Sequence, residues 1–389
     1  MKTRQALFLV WAACTALANH GAWAQNNPVL LADVKAPRVL MVEEATGTVL
    51  LSRKPDEPFA PGSIAKMMTV ETVLDALSRG EISLDTAYPV TEFAWRTGGA
   101  PSRTTTMFAA LRSNIPVRDL LSGVIVQNAN DGCIVLAEGL AGSEPAFVTR
   151  MNERANALGM SGSRFGNSTG LPPAESSMTA IDMVRLARHM RTAYPQVLPL
   201  YTQADFEWNR IRQRNKNPLL GTIAGVDGFA AGFAEGAGFS LMATAMRGDT
   251  RLYLAMSGLA SEKERQDEAA RLLEWGFNGF TSLTVYAAGD VVGQAAVYGG
   301  AAEKVALAPR EDVRVYAPTG DLGRLSAQVV YRGPIRAPIN KEQEVGRIRI
   351  MIGDAVLQEA PVYTSEAVGE GGLASRAKDA VWSLLFSWL

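Results

Sequence analysis

The stretch Phe59-Ala60-Pro61-Gly62-Ser63-Ile64-Ala65-Lys66-Met67-Met68-Thr69 places a hydroxyl and an amine three residues apart. A helix is predicted to begin here, because Pro61-Gly62 interrupts the preceding chain and apolar residues then recur at helical spacing until Gly80. Positions i and i+3 share a helix face, so Ser63 and Lys66 are expected to touch. A lysine whose pKa is lowered by burial or by a neighbouring cation can take the serine proton and make the serine a nucleophile.

The Ser-x-x-Lys spacing is short enough to occur by chance. Ser375-Arg376-Ala377-Lys378 repeats it in a polar-to-apolar tail, and we interpret that second copy as coincidence. The alternative for Ser63 is an ordinary helix N-cap with an exposed lysine one turn later. The rest of the chain therefore has to decide which interpretation holds.

The composition is that of a globular protein. The chain has 389 residues, of which 47% are hydrophobic and 20% charged, with a net charge of -1, and this length is enough for two domains. The charge balance gives no reason to expect a nucleic acid partner. His189 is the one histidine after residue 24, so we expect no metal site and no cofactor. His189 itself is interpreted as a surface residue late in a helix.

Residues 1–24 have the features of a secretory signal peptide: a basic start, an apolar core and the cleavage-site pattern Ala22-Trp23-Ala24. Cys14 lies in this core, but the residues before it match a lipoprotein signal poorly, so we predict export with cleavage after Ala24. Cys133 is then the one remaining cysteine, and the exported chain has no internal disulfide. We therefore expect a packed core to stabilise it.

Residues 29–280 are predicted to form one α+β domain. Val39–Ser52 indicates a hairpin, and Phe239–Arg247 and Thr250–Leu259 indicate two further strands. Helical patterns follow Pro61-Gly62 and Pro116 and recur in Glu144–Leu158, Thr179–Arg191 and Glu264–Phe277. A helical block bracketed by strands is typical of this fold class.

Residues 281–363 change in character. Short β-type runs such as Val313–Tyr316 and Arg347–Ile352 are separated by Gly, Pro and Asp. This pattern predicts a small all-β, sandwich-like domain.

Residues 364–389 differ again. Val368-Gly369-Glu370-Gly371-Gly372 is interpreted as a flexible lead, and Leu373–Leu389 as an amphipathic helix with two tryptophans and too few residues to span a bilayer. We expect this helix to lie on a membrane surface. The alternative is a C-terminal helix docked on the β domain.

These features together resemble the low-molecular-mass penicillin-binding proteins, which are the D-alanyl-D-alanine carboxypeptidases of the bacterial periplasm. Further segments similar to that family are Ala94-Trp95-x-Thr97-Gly98, Val124-Ile125-Val126-Gln127-x-x-Asn130-Asp131, Phe165-x-Asn167-x-x-Gly170-Leu171, Asn215-Lys216-Asn217-Pro218-Leu219-Leu220, Asp227-Gly228 and Leu272-Leu273-x-Trp275-Gly276-Phe277. The resemblance implies a penicillin-binding/β-lactamase-like transpeptidase domain, then the all-β domain and the amphipathic helix. It also implies a periplasmic protein attached to the outer leaflet of the inner membrane.

The resemblance also implies a reaction and its partners. Ser63 would attack the penultimate D-alanine of a peptidoglycan stem peptide, with Lys66 as base, and water would later release the enzyme from the serine ester. β-Lactam antibiotics would acylate Ser63 in the same way. The oxyanion would lie between the backbone N–H groups of Ser63 and Phe233.

The second family motif, Ser-x-Asn, is Asn128-Ala129-Asn130 in this chain. By resemblance, Asn130 would hydrogen-bond Lys66 and the substrate amide. Asn128 replaces the serine that would pass a proton to the leaving amine. A carboxamide does not shuttle protons at neutral pH, so this step is expected to suffer.

The third family motif, Lys-Thr-Gly, aligns with Ala230-Ala231-Gly232. The missing lysine would help to keep Lys66 neutral, and the missing hydroxyl would bind the terminal carboxylate of the substrate. Arg265 lies where the family has a carboxylate-binding arginine. The alternative for Arg265 is a solvated charge on a helix.

Two functions remain open at this point. The first is a serine-type D-alanyl-D-alanine carboxypeptidase, slow or changed in substrate preference because two motifs are altered. The second is a catalytically degenerate relative that binds peptidoglycan peptides or a protein partner at the membrane surface. An esterase or β-lactamase-like hydrolase fits less well, because the sequence contains nothing that resembles a dedicated deacylating carboxylate.

Overall fold

The computed structural model describes residues 33–172 and 175–373. The predicted signal peptide, the second Ser-x-x-Lys copy and the amphipathic helix all lie outside the described residues. The chain divides into two compact units. Among the described residues, the larger unit contains 33–45 and 50–277 and the smaller unit contains Thr46–Val49 and 278–373.

The first part of the chain contains an antiparallel sheet and two small hairpins. The strands are β1 (Arg38–Glu43), β2 (Val49–Arg53), β3 (Ala87–Pro89), β4 (Asn114–Pro116), β5 (Asp205–Trp208), β6 (Ile211–Arg214), β7 (Val226–Ala234), β8 (Gly238–Arg247) and β9 (Thr250–Leu259). The five-stranded sheet has the order β2-β1-β9-β8-β7, while β3 pairs with β4 and β5 with β6. Strand β7 is thus an edge of the main sheet.

Helices fill the interval between β2 and β5, and one more follows β9. They are α1 (Lys66–Ser78), α2 (Glu92–Thr97), α3 (Val117–Gln127), α4 (Asn130–Ala141), α5 (Glu144–Ala157), α6 (Ala180–Ala193), α7 (Leu198–Thr202) and α8 (Glu262–Asn278). The predicted α+β class is confirmed, with each predicted helix displaced by only a few residues at its ends.

The sequence analysis missed the β5–β6 hairpin and strand β7. Strand β7 contains the run Gly228-Phe229-Ala230-Ala231-Gly232, and Gly and Ala have low strand propensity. Its pairing with β8 holds it in the sheet, so a tertiary contact overrides the local preference.

Helix α1 is the buried centre of the larger unit. Ten of its 13 residues are buried, and a helix with so little exposed surface must pack on nearly every side. It even carries a buried carboxylate, Glu71, whose pKa is raised by desolvation. Arg154 Nε donates to Glu71 Oε1 at 2.8 Å, and His189 Nε2 lies 3.2 Å from the same oxygen. The prediction that His189 is a surface residue is therefore wrong, because it is half-buried in this ion-pair cluster.

The smaller unit is all-β within the described residues, as predicted. Its strands are β10 (Phe280–Tyr286), β11 (Gly293–Tyr298), β12 (Lys304–Ala308), β13 (Val313–Pro318), β14 (Leu325–Tyr331), β15 (Ile335–Arg336), β16 (Glu344–Ile352) and β17 (Ala355–Thr364). A six-stranded sheet has the order β14-β16-β17-β12-β11-β15, and β10 pairs with β13. Buried aliphatic residues such as Val315, Ile348 and Ile350 form its core.

The interpretation of Val368-Gly369-Glu370-Gly371-Gly372 as a flexible lead is wrong. Val368 N–H donates to Ile339 O at 2.9 Å, and Gly371 N–H donates to Gly299 O at 2.9 Å. These backbone hydrogen bonds hold the segment against the all-β unit, which glycine composition alone does not reveal. No helix within residues 33–172 and 175–373 has the length and apolar character needed to cross a bilayer.

Replacing Arg154 by Met should lower the free energy of unfolding by about 3 kcal/mol, because Glu71 would lose the guanidinium that is hydrogen-bonded to it inside the core. Arg150→Met is the matched control, since Arg150 lies on the same helix and pairs with Glu81 where both side chains are 34% exposed. That control should cost less than about 1 kcal/mol. Chemical denaturation measures both values, and equal losses would contradict a special role for the buried pair.

Candidate active site

Ser63 and Lys66 meet at the entry to α1. Ser63 lies in a 3-10 turn, Gly62–Ala65, and Lys66 is the first residue of the helix. Lys66 Nζ donates a hydrogen bond to Ser63 Oγ at 3.0 Å, so the predicted contact is confirmed. The alternative of an N-cap with an exposed lysine is wrong, because Lys66 is 3% exposed and no side chain caps either the turn or the helix.

The environment of Lys66 favours its neutral form. Desolvation by burial lowers the pKa of Lys66 from 10.5 to about 8. The neighbouring Cys133 thiol has a pKa raised by burial to about 12, so it is uncharged in the range where Lys66 titrates. Roughly a tenth of Lys66 is then neutral at pH 7, compared with less than about one part in a thousand for an ordinary lysine.

Close backbone contacts hold the Ser63 turn between β7 and the loop before α6. Gly62 has φ +53°, and a Cβ there would lie 2.2 Å from Phe233 O and 3.1 Å from Phe233 N. Gly170 has φ +75°, and a Cβ there would lie 1.9 Å from Gly62 O. Real Cβ atoms do not approach so closely, so glycine is required at both positions. Two segments singled out in the sequence thus meet at the turn.

Asn128 and Asn130 occupy different places relative to Lys66. Asn128 ends α3 in the left-handed conformation (φ 63°), which Asn tolerates better than most residues, and its side chain lines the cleft beside Ser63. Asn130 Nδ2 donates instead to Thr104 Oγ1 at 3.0 Å. No hydrogen bond joins Asn130 to Lys66 among the described residues, so the expected contact is not observed. The buried Asn130 Oδ1 accepts no hydrogen bond within that part of the chain.

The buried carboxylate of Asp131 explains why the start of α4 is well positioned. It accepts hydrogen bonds from the N–H groups of Met107 and Ala109, both at 2.9 Å, and from Thr106 Oγ1. A negative charge at a helix N-terminus is also favourable. These bonds attach residues 106–109 to the start of α4. They hold Asp131 in place, and with it the adjacent Asn130 of the second motif.

The third motif lies on β7. Ala230 and Ala231 line the cleft with methyl groups only. Gly232 O accepts a hydrogen bond from Arg265 Nη1 at 3.2 Å, and the neighbouring Phe233 side chain is 55% exposed. The strand thus presents backbone groups and apolar surface where the family has a cation and a hydroxyl.

Arg265 is buried rather than solvated, so the alternative of a solvated helix charge is wrong. It is 6% exposed, its guanidinium lies 5.5 Å from the centroid of the Phe239 ring, and burial lowers its pKa. The guanidinium does not line the cleft around Ser63. The structure therefore buries it against β7, where it donates to the Gly232 carbonyl.

The Ser63 cleft encloses ≈ 400 Å³ of space that is partly open to solvent. Its walls are formed by Ser63, Lys66, Met67, Val70, Val124, Ile125, Asn128, Tyr201, Lys216, Asn217, Phe229, Ala230 and Ala231. The sequence analysis assigned no role to Tyr201 or Lys216. For Lys216 a signal was present, because it lies in a family-like segment, Asn215–Leu220.

Comparisons with known proteins agree with this geometry. A family model described as D-alanyl-D-alanine carboxypeptidase matches residues 22–259, and one described as the C-terminal domain of penicillin-binding protein 5 matches residues 280–370. The chain is 33% identical over 370 residues to D-alanyl-D-alanine carboxypeptidase DacC of Escherichia coli, an alignment that covers 94% of this chain and 92% of that protein.

Solved structures show the same fold. Penicillin-binding protein 5 of Haemophilus influenzae aligns with a TM-score of 0.75 at 30% identity, covering 88% of this chain and all of that one. Penicillin-binding protein D2 of Listeria monocytogenes in its ampicillin-bound form aligns with a TM-score of 0.54 at 25% identity, covering 63% of this chain and 98% of that one. The resemblance inferred from the sequence is therefore confirmed, and the chain belongs to the D-alanyl-D-alanine carboxypeptidase family of serine peptidases.

Proposed function

We propose that Ser63 and Lys66 are the nucleophile and the base of this serine-type D-alanyl-D-alanine carboxypeptidase. The observation that carries the proposal is the 3.0 Å hydrogen bond from a buried lysine to the serine hydroxyl. Neutral Lys66 takes the Ser63 proton while Ser63 Oγ bonds to the carbonyl carbon of the penultimate D-alanine of a stem peptide. The electron pair of that carbonyl moves onto its oxygen.

The backbone N–H groups of Ser63 and Phe233 are the proposed oxyanion donors. Support comes from the contact of the Phe233 backbone with Gly62, the residue before Ser63. Such donors survive any change of side chain in the third motif. Collapse of the oxyanion breaks the peptide bond, and terminal D-alanine leaves after its nitrogen gains a proton. Water then hydrolyses the Ser63 ester.

Asn128 cannot carry the proton to the leaving nitrogen, so we assign that transfer to the Lys66 ammonium formed in the first step. Losing a dedicated general acid costs ~10²–10⁴ in rate, and slow turnover is the expected consequence. The absence of the third-motif lysine has a smaller effect on the rate, because burial already lowers the pKa of the base, Lys66, to about 8.

The alternative is a catalytically degenerate member that binds stem peptides or a protein partner without turning them over. It is favoured by Ala230 and Ala231, whose methyl groups bring neither a cation nor a hydroxyl to the cleft. Turnover separates the two functions, because a degenerate member releases no D-alanine whether or not Ser63 can still be acylated.

A fluorescent penicillin should form a covalent adduct with the protein that Ser63→Ala abolishes, since the β-lactam carbonyl takes the place of the peptide carbonyl. Ser78→Ala, at the exposed end of helix α1, is the matched control and should label like the parent protein. Labelling is read by gel fluorescence, and D-alanine release from a pentapeptide is measured in parallel. No adduct after long incubation would refute the assignment of Ser63. Adduct without D-alanine release would favour the degenerate alternative.

The rate of acylation should rise with pH and reach half its plateau near pH 8, because the neutral form of Lys66 is the base and its pKa is lowered to about 8. Stopped-time labelling between about pH 6 and pH 10 measures this profile. Lys66→Arg should remove the reaction over the whole range, since arginine stays protonated. A flat profile in the parent protein would contradict Lys66 as the base.

We also propose a periplasmic location at the outer leaflet of the inner membrane, with residues 373–389 as the surface anchor. The amphipathic pattern and two tryptophans of that segment support the proposal. Truncation before Leu373 should move the protein from the membrane fraction to the soluble fraction on cell lysis. It leaves the described all-β unit intact, and continued membrane association of the truncated protein would contradict the anchor.

A further inference from the structure

The residues that line the Ser63 cleft carry positive charge and no negative charge. Among its lining residues Lys66 and Lys216 are the two cations, and none is a carboxylate. The Lys66 ammonium donates a hydrogen bond to Ser63. The Lys216 ammonium has no hydrogen bond or ion pair with any residue of 33–172 or 175–373. An anionic substrate group entering the cleft therefore meets one exposed cation whose donors are unused.

The backbone of Lys216 is held firmly although its side chain is exposed. Its N–H donates to Val126 O at 2.9 Å, near the end of α3 and two residues before Asn128. Asn215 Oδ1 accepts from Asn217 N at 2.8 Å, and Asn215 Nδ2 donates to Gln203 O at 2.8 Å. The Asn215 side chain thus shapes the turn that presents Lys216 to the cleft.

Strand β7 cannot supply the same charge. Ala230 and Ala231 contribute methyl groups, and the Arg265 guanidinium is buried between the Gly232 carbonyl and the Phe239 ring. A carboxylate that enters the cleft loses hydration, and without a cationic partner nothing offsets that loss of free energy. Lys216 is the group positioned to meet that requirement.

We propose that Lys216 is the carboxylate-binding cation of this cleft and replaces the lysine and threonine absent at Ala230 and Ala231. The inference rests on the proposed function only in taking a D-Ala-D-Ala peptide as the ligand. Its ammonium binds a carboxylate of the peptide by a charge-assisted hydrogen bond, and this orients the scissile bond over Ser63. The carboxylate is the C-terminal one or one nearer the peptide N-terminus, and the two sources can be separated.

The test measures binding in the full-length Ser63→Ala protein, so that it does not depend on turnover. One probe is diacetyl-L-Lys-D-Ala-D-Ala, whose only carboxylate is C-terminal, and a second is its C-terminal amide. A third is that amide extended by a γ-linked D-glutamate, which restores a carboxylate elsewhere. Lys216→Met should weaken binding of a carboxylate probe about 10-fold and leave the plain amide unchanged.

Loss confined to the first probe assigns Lys216 to the terminal carboxylate, and loss confined to the third assigns it to the other carboxylate. Lys263→Met is the matched control, because Lys263 is exposed on α8 outside the cleft and the charge change is the same. Adding Ala230→Lys to Lys216→Met should restore the affinity if both positions serve one carboxylate.

The inference is overturned if Lys216→Met and Lys263→Met bind all three peptides equally, or if the protein with Lys216 binds none of them. Failure of the proposed function looks different. In that case peptides bind with the Lys216 dependence described, but the parent protein with Ser63 intact releases no D-alanine and forms no penicillin adduct.

Discussion

The burial of Lys66 against Ser63 is the interaction on which the rest of the site depends. An ammonium ion taken out of water loses hydration energy, so its proton becomes easier to remove and its pKa falls to about 8. That shift requires a helix whose first turn is inside the core. Helix α1 meets the requirement because it is buried on nearly all sides, with Glu71 Oε1 paired with Arg154 and His189 farther along.

This arrangement explains how a member of the family can lack the third-motif lysine. If a neighbouring charge were the main cause of the lowered pKa, Ala230 would leave Lys66 protonated and inactive. Desolvation by burial is instead the largest cause, and it does not require a second cation. Oxyanion stabilisation is also independent of motif side chains, since the proposed donors are backbone N–H groups. What β7 loses is the recognition of a carboxylate, and the Lys216 turn faces the same cleft.

The second motif shows how the fold accepts a substitution that the chemistry does not favour. Position 128 has φ 63°, a conformation in which asparagine is among the better tolerated residues. The replacement therefore costs the backbone little, while the proton relay is lost.

Prediction of secondary structure from the sequence was limited to elements whose signal lies in neighbouring residues. Helices and the paired strands β8 and β9 follow from residue periodicity, but β7 is Gly- and Ala-rich and becomes a strand only because β8 pairs with it.

The sequence by itself determined the fold class, the family and the positions of Ser63 and Lys66, because these depend on periodicity and on spacings within one helical turn. It also located Asn128, Ala230 and Arg265 in the chain. Only the tertiary structure decided that Lys66 is buried, that Arg265 is buried against the Gly232 carbonyl and that Asn130 bonds Thr104. Burial and partner choice depend on segments far apart in sequence. For the same reason Lys216, more than a hundred residues from Ser63, is recognised as part of the cleft only in the folded chain.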